Sequence, residues 1–160
     1  MSAERARFTL DTNLLVYSVD NAAGARHRAA LEIVDRAIET ECWLTLQALG
    51  EFYAAVTRKG IVPPAEAASQ AADWLELFPT VAASAAAIRV ALADAAVGRA
   101  SYWDALLVAT AAEAGCTIVL TEDMSDGSTF GGLRIHNPFA ASGGLTCMTR
   151  RLLALPELHP

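Results

Sequence analysis

Apolar residues along this chain fall into short runs that alternate with longer stretches of helical period. Phe8-Thr9-Leu10 ends at Asp11, and Leu14, Leu15 and Tyr17 follow at helical spacing, so the first unit predicts a short strand running straight into a helix. Ala25 to Glu39 predicts a second helix, with Ala29, Ala30, Ile33, Val34 and Ile38 approximating one apolar face. Arg26, His27, Arg28 and Arg36 lie on its polar side, which reads as a solvated face, with arginines beside a cleft that steer a phosphate backbone as the alternative. Cys42 to Leu46 predicts a buried strand and Gln47 to Arg58 a helix. On that helix Ala48, Leu49, Phe52, Tyr53 and Val56 cluster, and Glu51 falls at the border of the apolar arc. Pro64 suits the opening of a helix that runs to about Leu77.

Pro79 to Ala82 predicts a short strand. Ser84 to Val97, closed by Gly98, predicts an alanine-rich helix in which Ile88, Val90, Leu92 and Val97 read as packing residues. Ser101 to Ala111 opens the most apolar helix, expected to lie buried against the sheet until Gly115 ends it. Thr117 to Leu120 predicts a core strand, Thr121 to Gly127 a loop, and Gly131 to Phe139 a final edge strand stopped by Pro138. Beyond it, Gly143-Gly144 reads as a hinge and Leu145 to Leu155 as a small terminal helix. Strands alternate with helices throughout, which predicts an α/β fold: a three-layer α/β/α sandwich around a short, mainly parallel central sheet.

Composition narrows the picture. At 160 residues the chain suits one domain that buries roughly 70% of its unfolded surface. It is 54% hydrophobic, yet no apolar run approaches the roughly 20 residues of a membrane span. Asp11 interrupts the one N-terminal apolar run before it reaches the length of a secretory signal. Cys42, Cys116 and Cys147 are three widely spaced cysteines with no CxxC pair, which suits reduced cytosolic thiols, the first two as packing residues. The net charge of −6 argues against a protein that coats nucleic acid through a broad basic surface.

The placement of the acids changes the picture more than their number. Asp11, Glu51, Asp104 and Asp123 each fall just after a predicted strand or in the first turns of a helix, and Asp126 lies close to the last of them. Each has an ordinary alternative. Asp11 can cap the helix that follows it, Glu51 can pair with an arginine at the surface, and Ser101-x-x-Asp104 has the form of a capping box. Asp123 and Asp126 lie in a Ser- and Gly-containing loop. His136 has no His or Cys at ligand spacing and reads as structural. Right-handed β-α-β connections nevertheless bring all such strand ends to one edge of the sheet. Carboxylates crowded there raise one another's pKa unless a cation binds between them. An all-oxygen set suits Mg²⁺ or Mn²⁺ rather than zinc. Two such ions about 4 Å apart serve in-line phosphodiester hydrolysis, and two would bring the net charge from −6 to −2.

Leu10-Asp11-Thr12-Asn13, Gly50-Glu51-Phe52, Tyr102-Trp103-Asp104-Ala105-Leu106, Thr121 to Gly127 and Gly132-x-Arg134-Ile135-x-Asn137-Pro138-Phe139 together resemble a PIN domain, specifically a VapC-like toxin ribonuclease of a type II toxin–antitoxin system. The resemblance covers about residues 7–139. It implies a nuclease domain over residues 1–139, with residues 140–160 as an extension whose role the family does not supply. It further implies a cytoplasmic Mg²⁺-dependent endoribonuclease with Asp11, Glu51, Asp104 and Asp123 as catalytic and metal-binding residues. Asp126 would support a second ion, and Thr12, Asn13 and Thr121 would be supporting polar residues. A homodimer and a cognate antitoxin that covers the acidic site are the implied partners, beside the RNA substrate. A catalytically silent interaction module on the same fold is the alternative, against which the intact acids speak. A phosphatase of the haloacid dehalogenase type would want an aspartate where Asn13 stands.

Overall fold

The computed structural model describes residues 5–156 and 158. Met1 to Glu4, Glu157, His159 and Pro160, which include both ends of the expected domain and extension, lie outside the described residues. The expected three-layer α/β/α sandwich is present, with seven α-helices and six strands among the described residues. β1 (Phe8–Leu10) leads through Asp11 into α1 (Thr12–Val19), and α2 (Ala25–Ala37) follows a 3₁₀ turn. β2 (Leu44–Thr45) turns at once into α3 (Leu46–Arg58) and then α4 (Pro64–Leu77). β3 (Thr80–Val81) precedes α5 (Ala85–Ala96) and α6 (Tyr102–Glu113). β4 (Ile118–Leu120), β5 (Thr129–Phe130), β6 (Leu133–His136) and α7 (Cys147–Leu152) complete the described chain.

The main sheet has the order β1-β4-β6-β5. β1 pairs parallel with β4 and β4 with β6, so Leu10, Leu120 and His136 stand side by side at the carboxyl ends of three strands. β2 and β3 form a parallel pair that joins β1 through a Phe8–Cys42 bridge. Each of these strands is only two to four residues long. Phe8, Leu10, Val119, Leu120 and Ile135 are fully buried beneath the helices, which explains their uninterrupted apolar sequences. No described helix is long and apolar enough to cross a membrane.

Four expectations need correction. β6 is an interior strand, because the loop after β4 contributes β5, which pairs antiparallel along the outer edge of β6. The expected Cys42–Leu46 strand is shorter, since Thr45 accepts from Ala48 N and caps a helix that begins at Leu46. Ile88, Val90, Leu92 and Val97 do not pack: α5 meets α6 through Ala87 and Ala91, and its remaining faces are open, with Val97 66% exposed. Gly143-Gly144 belongs to a closed turn, with Ala140 N donating to Gly144 O and Gly143 N to Ala140 O.

Past that turn the chain returns to the core. Phe139 bridges to Leu145, and Leu145, Thr149 and Leu153 are buried. His136 Nε2 lies 2.8 Å from Thr146 Oγ1 and 3.1 Å from Thr149 Oγ1, which ties β6 to α7. The Arg36 guanidinium donates to Leu153 O and Ala154 O, and so occupies carbonyls at the end of α7.

The turn between β5 and β6 has little room. Gly131 has φ of +56°, and a Cβ placed there would stand 2.7 Å from Cγ1 of the buried Val108. Gly132 also has positive φ, but a Cβ there meets nothing within 4 Å. Gly131→Ala is expected to lower stability in urea unfolding by about 2–3 kcal/mol, combining backbone strain with a core clash, and Gly132→Ala by about 1 kcal/mol from strain alone.

Candidate active site

Three strand ends and three helix starts meet where the sheet stops. Asp11 follows β1, its backbone N–H donating to Leu120 O on β4. Its side chain caps α1, Oδ1 accepting from Thr12 N at 2.7 Å. The capping role and a place in the site therefore belong to one residue, because the helix begins at the strand's mouth. Thr121, the residue after β4, donates its hydroxyl to Asp11 Oδ2 at 2.7 Å and accepts from Asp123 N at 3.1 Å. Asn13, in the first turn of α1, donates to Asp123 Oδ2. Thr12 reaches the other way and donates to Glu51 Oε2 at 3.0 Å.

Glu51 lies in the second turn of α3, half-buried, and pairs with no arginine among the described residues; its other oxygen accepts from Gln47 Nε2 at 2.8 Å. Gln47 also donates to the backbone oxygen of Trp103 at 3.1 Å. Asp104, the next residue, lies in the first turn of α6. Its N–H donates to Ser101 Oγ, the forward half of the expected capping box. Among the described residues no hydrogen bond holds the Asp104 carboxylate. Asp11, Glu51, Asp123 and the Asp104 turn thus belong to one hydrogen-bonded chain of residues drawn from α1, α3, α6 and the loop after β4.

Asp126 is not brought into that chain. Its Oδ1 accepts from Asn137 N at 2.9 Å and lies 3.6 Å from His136 Nδ1, so it braces the end of β6. His136 is buried and its pKa is lowered, first by that burial, in keeping with the structural role expected of it. Arg26 is not simply solvated. It donates to Glu122 Oε2 at 2.9 Å and lies over the Phe139 ring, while Tyr17 donates to Glu122 Oε1. These contacts fasten the loop that carries Asp123 to α1 and α2.

The charge balance within the site is uneven. Among the described residues no Lys, Arg or His forms an ion pair with Asp11, Glu51, Asp104 or Asp123. Asp11 is 8% exposed, and its pKa is raised from 3.8 to about 6, chiefly because burial strips water from the charged form. Asp123 and Asp104 add repulsion, while the bonds from Thr121 and Thr12 oppose the rise. A buried, uncompensated carboxylate with oxygen-bearing neighbours is the environment a hard cation relieves. As the side chains stand, no three His, Cys, Asp or Glu residues among those described are grouped closely enough to hold an ion. The donor set fits Mg²⁺ or Mn²⁺ in kind, and enclosing one requires the acidic side chains to draw together.

Sequence reasoning missed Gln47, Tyr17, Arg26 and Glu122 as contributors. Gln47 and Glu51 are four apart on one helix, a visible signal for a side-chain pair. The Tyr17–Glu122–Arg26 group spans 105 residues between Tyr17 and Glu122 and leaves no local signal.

The profile of the family described as "PIN domain" matches residues 8–125. No curated protein sequence matches this chain. Among solved structures, the chain is similar to Mycobacterium tuberculosis VapC20, described as a Sarcin-Ricin loop cleaving toxin, at 19% identity and TM-score 0.58, covering 72% of this chain and 91% of that one. A toxin–antitoxin complex from Klebsiella pneumoniae matches at 18% identity and TM-score 0.59, covering 82% and 97%. VapBC2 from Rickettsia felis, bound to a DNA fragment from its promoter, matches at 14% identity and TM-score 0.58, covering 81% and 97%. At these identities the likeness is one of fold.

The raised Asp11 pKa has a definite sign for stability. The folded protein holds the Asp11 proton more tightly than the unfolded chain, so stability is greatest below about pH 3.8 for this group and falls as pH rises through about 6. At pH 7 to 8, Asp11→Asn is expected to raise the stability of the EDTA-treated protein by up to about 3 kcal/mol, an advantage that vanishes near pH 4 in parallel urea unfolding curves.

Proposed function

The chain belongs to the PIN-domain family, and from that premise we propose that it is a Mg²⁺-dependent endoribonuclease, the toxin of a toxin–antitoxin module acting in the cytoplasm. The observation that carries this reading is the buried Asp11 carboxylate, joined through Thr12 and Thr121 to Glu51 and Asp123, with no basic partner for any of them among the described residues. Asp11, Glu51, Asp104 and Asp123 would hold the ion, and Mn²⁺ would substitute for Mg²⁺. Such an ion, when bound, lowers the pKa of a water and offsets charge on the phosphodiester.

The remaining roles belong to the chain itself. Thr121 and Thr12 N–H aim the two Asp11 oxygens, and Asn13 aims Asp123. The amino end of α1 lends partial positive charge to the same place. Asp126, occupied by Asn137 and His136, is left outside the proposed ion-binding set. The net charge of −6 makes approach of a polyanionic RNA depend on cations at this edge.

Two partners go with this reading. One solved structure of similar fold is described as a toxin–antitoxin complex, which supports a cognate antitoxin, and the acidic edge is the face we assign to it. The open apolar side of α5, with Val90, Leu92 and Val97 exposed, supports a homodimer formed through that helix. In size-exclusion chromatography with light scattering, Leu92→Glu is expected to convert a dimer into a folded monomer; a dimer unchanged by the substitution would exclude α5 as the interface.

The activity test uses purified protein incubated with RNA. Cleavage is expected with Mg²⁺ or Mn²⁺ and not with EDTA. Asp11→Asn and Asp104→Asn are each expected to slow it by at least about 100-fold while remaining folded. Cleavage that persists in EDTA, or that survives both substitutions, removes the assignment. A protein that binds its antitoxin but never cuts RNA with any divalent ion would be the silent interaction module instead.

A further inference from the structure

We propose that Gln47 is a positioning residue of the carboxylate centre, one that sets the affinity for a divalent cation by holding Glu51 against the first turn of α6. The inference rests on the metal-dependent reading above. Gln47 stands at the second position of α3 and spans two elements with one amide nitrogen, 2.8 Å from Glu51 Oε1 and 3.1 Å from Trp103 O. Among the described residues this is the one side-chain hydrogen bond between α3 and α6. It acts one residue from Asp104, whose own carboxylate accepts no hydrogen bond among the described residues.

The orientation of the amide follows from its neighbours. Both partners are acceptors, one of them ionised, so turning the amide over would set its oxygen against two oxygens. The nitrogen therefore faces the site, and among the described residues no group donates to the buried Oε1.

The bond also leaves Glu51 able to bind. Each carboxylate oxygen has two acceptor sites, and Gln47 and Thr12 occupy one on each. The side chain is aimed without being saturated. When Gln47 is removed, Glu51 regains rotamer freedom and α6 loses its link to α3, so an ion would have to order both on arrival. Outer-shell partners of this kind change metal affinity by about 10–100-fold. At saturating metal the ion itself orders Glu51 whether or not Gln47 holds it, so the maximal rate should change little.

The test is calorimetric titration of the full chain with Mn²⁺, alongside the Mn²⁺-induced rise in melting temperature, for the unmodified protein, Gln47→Leu and Gln47→Ala. Leucine removes both donors at nearly constant size, and alanine guards against a leucine variant that packs badly. Both variants are expected to bind Mn²⁺ about 10–100-fold more weakly. Their melting temperatures in EDTA should stay within about 3 °C of the unmodified protein, a separation that a merely structural role would not give. Gln47→Asn, whose shorter arm reaches only one acceptor, is expected to fall between. In cleavage assays the Mg²⁺ concentration for half-maximal rate rises while the maximal rate is kept. Equal Mn²⁺ affinity in the unmodified protein and both variants overturns the role of Gln47 and leaves the metal-dependent reading standing. Absence of Mn²⁺ binding by the unmodified protein overturns that reading itself, and the inference with it.

Discussion

Asp11 sits at the mouth of β1 with a hydrogen-bond donor on each oxygen and, among the described residues, no basic side chain paired with it, and much of the surrounding structure follows from holding that charge there. The two donors, Thr12 N–H and the Thr121 hydroxyl, stabilise the ionised form without matching what burial removes, and the pKa stays near 6. The same two threonines reach onward, Thr12 to Glu51 and Thr121 to the backbone of Asp123. Orientation of one awkward charge thereby becomes orientation of three.

This arrangement is built on the register of very short strands. Leu10, Leu120 and His136 are neighbours across β1, β4 and β6, so the residues that leave these strands emerge in one row. A slip of one residue would turn Asp11 and Thr121 toward opposite faces and break the bond between them. Phe8, Leu10, Val119 and Leu120 are buried without exception, and that burial makes such a slip costly. Core packing and site geometry are in this sense the same constraint. The loop after β4 is secured separately, by Glu122 bound to Tyr17 and Arg26, and by Asp126 bound to the start of Asn137.

The periphery shows where local pattern misleads. In α5 nearly every position is Ala, Ile, Val or Leu, so no polar stripe distinguishes the face toward α6 from the face toward solvent. Ala87 and Ala91 win the contact because small side chains let the two helices approach closely, and the larger residues are left outside. Arg26 and Arg36 look like members of a solvated face on α2, yet one holds Glu122 and the other the carbonyls that end α7. The β5 strand is two residues long and has no sequence signature of its own; its existence depends on β6 offering a free edge.

The alternation of apolar runs with helical periods determined the fold class, because a strand buried on both faces must be apolar throughout and the connecting helices must return to the same edge. It also placed Asp11, Glu51, Asp104 and Asp123 at strand ends and helix starts, which is why these positions could be chosen before any coordinates. Whether an acid at such a position faces its fellows or turns aside was decided only by the tertiary structure, which joined Asp11, Glu51 and Asp123 and sent Asp126 to Asn137. The bridging role of Gln47 and the clamp around Glu122 were likewise settled there. Sequence periodicity fixes which face of an element a residue occupies, whereas a hydrogen bond between distant elements depends on where two backbones come to rest.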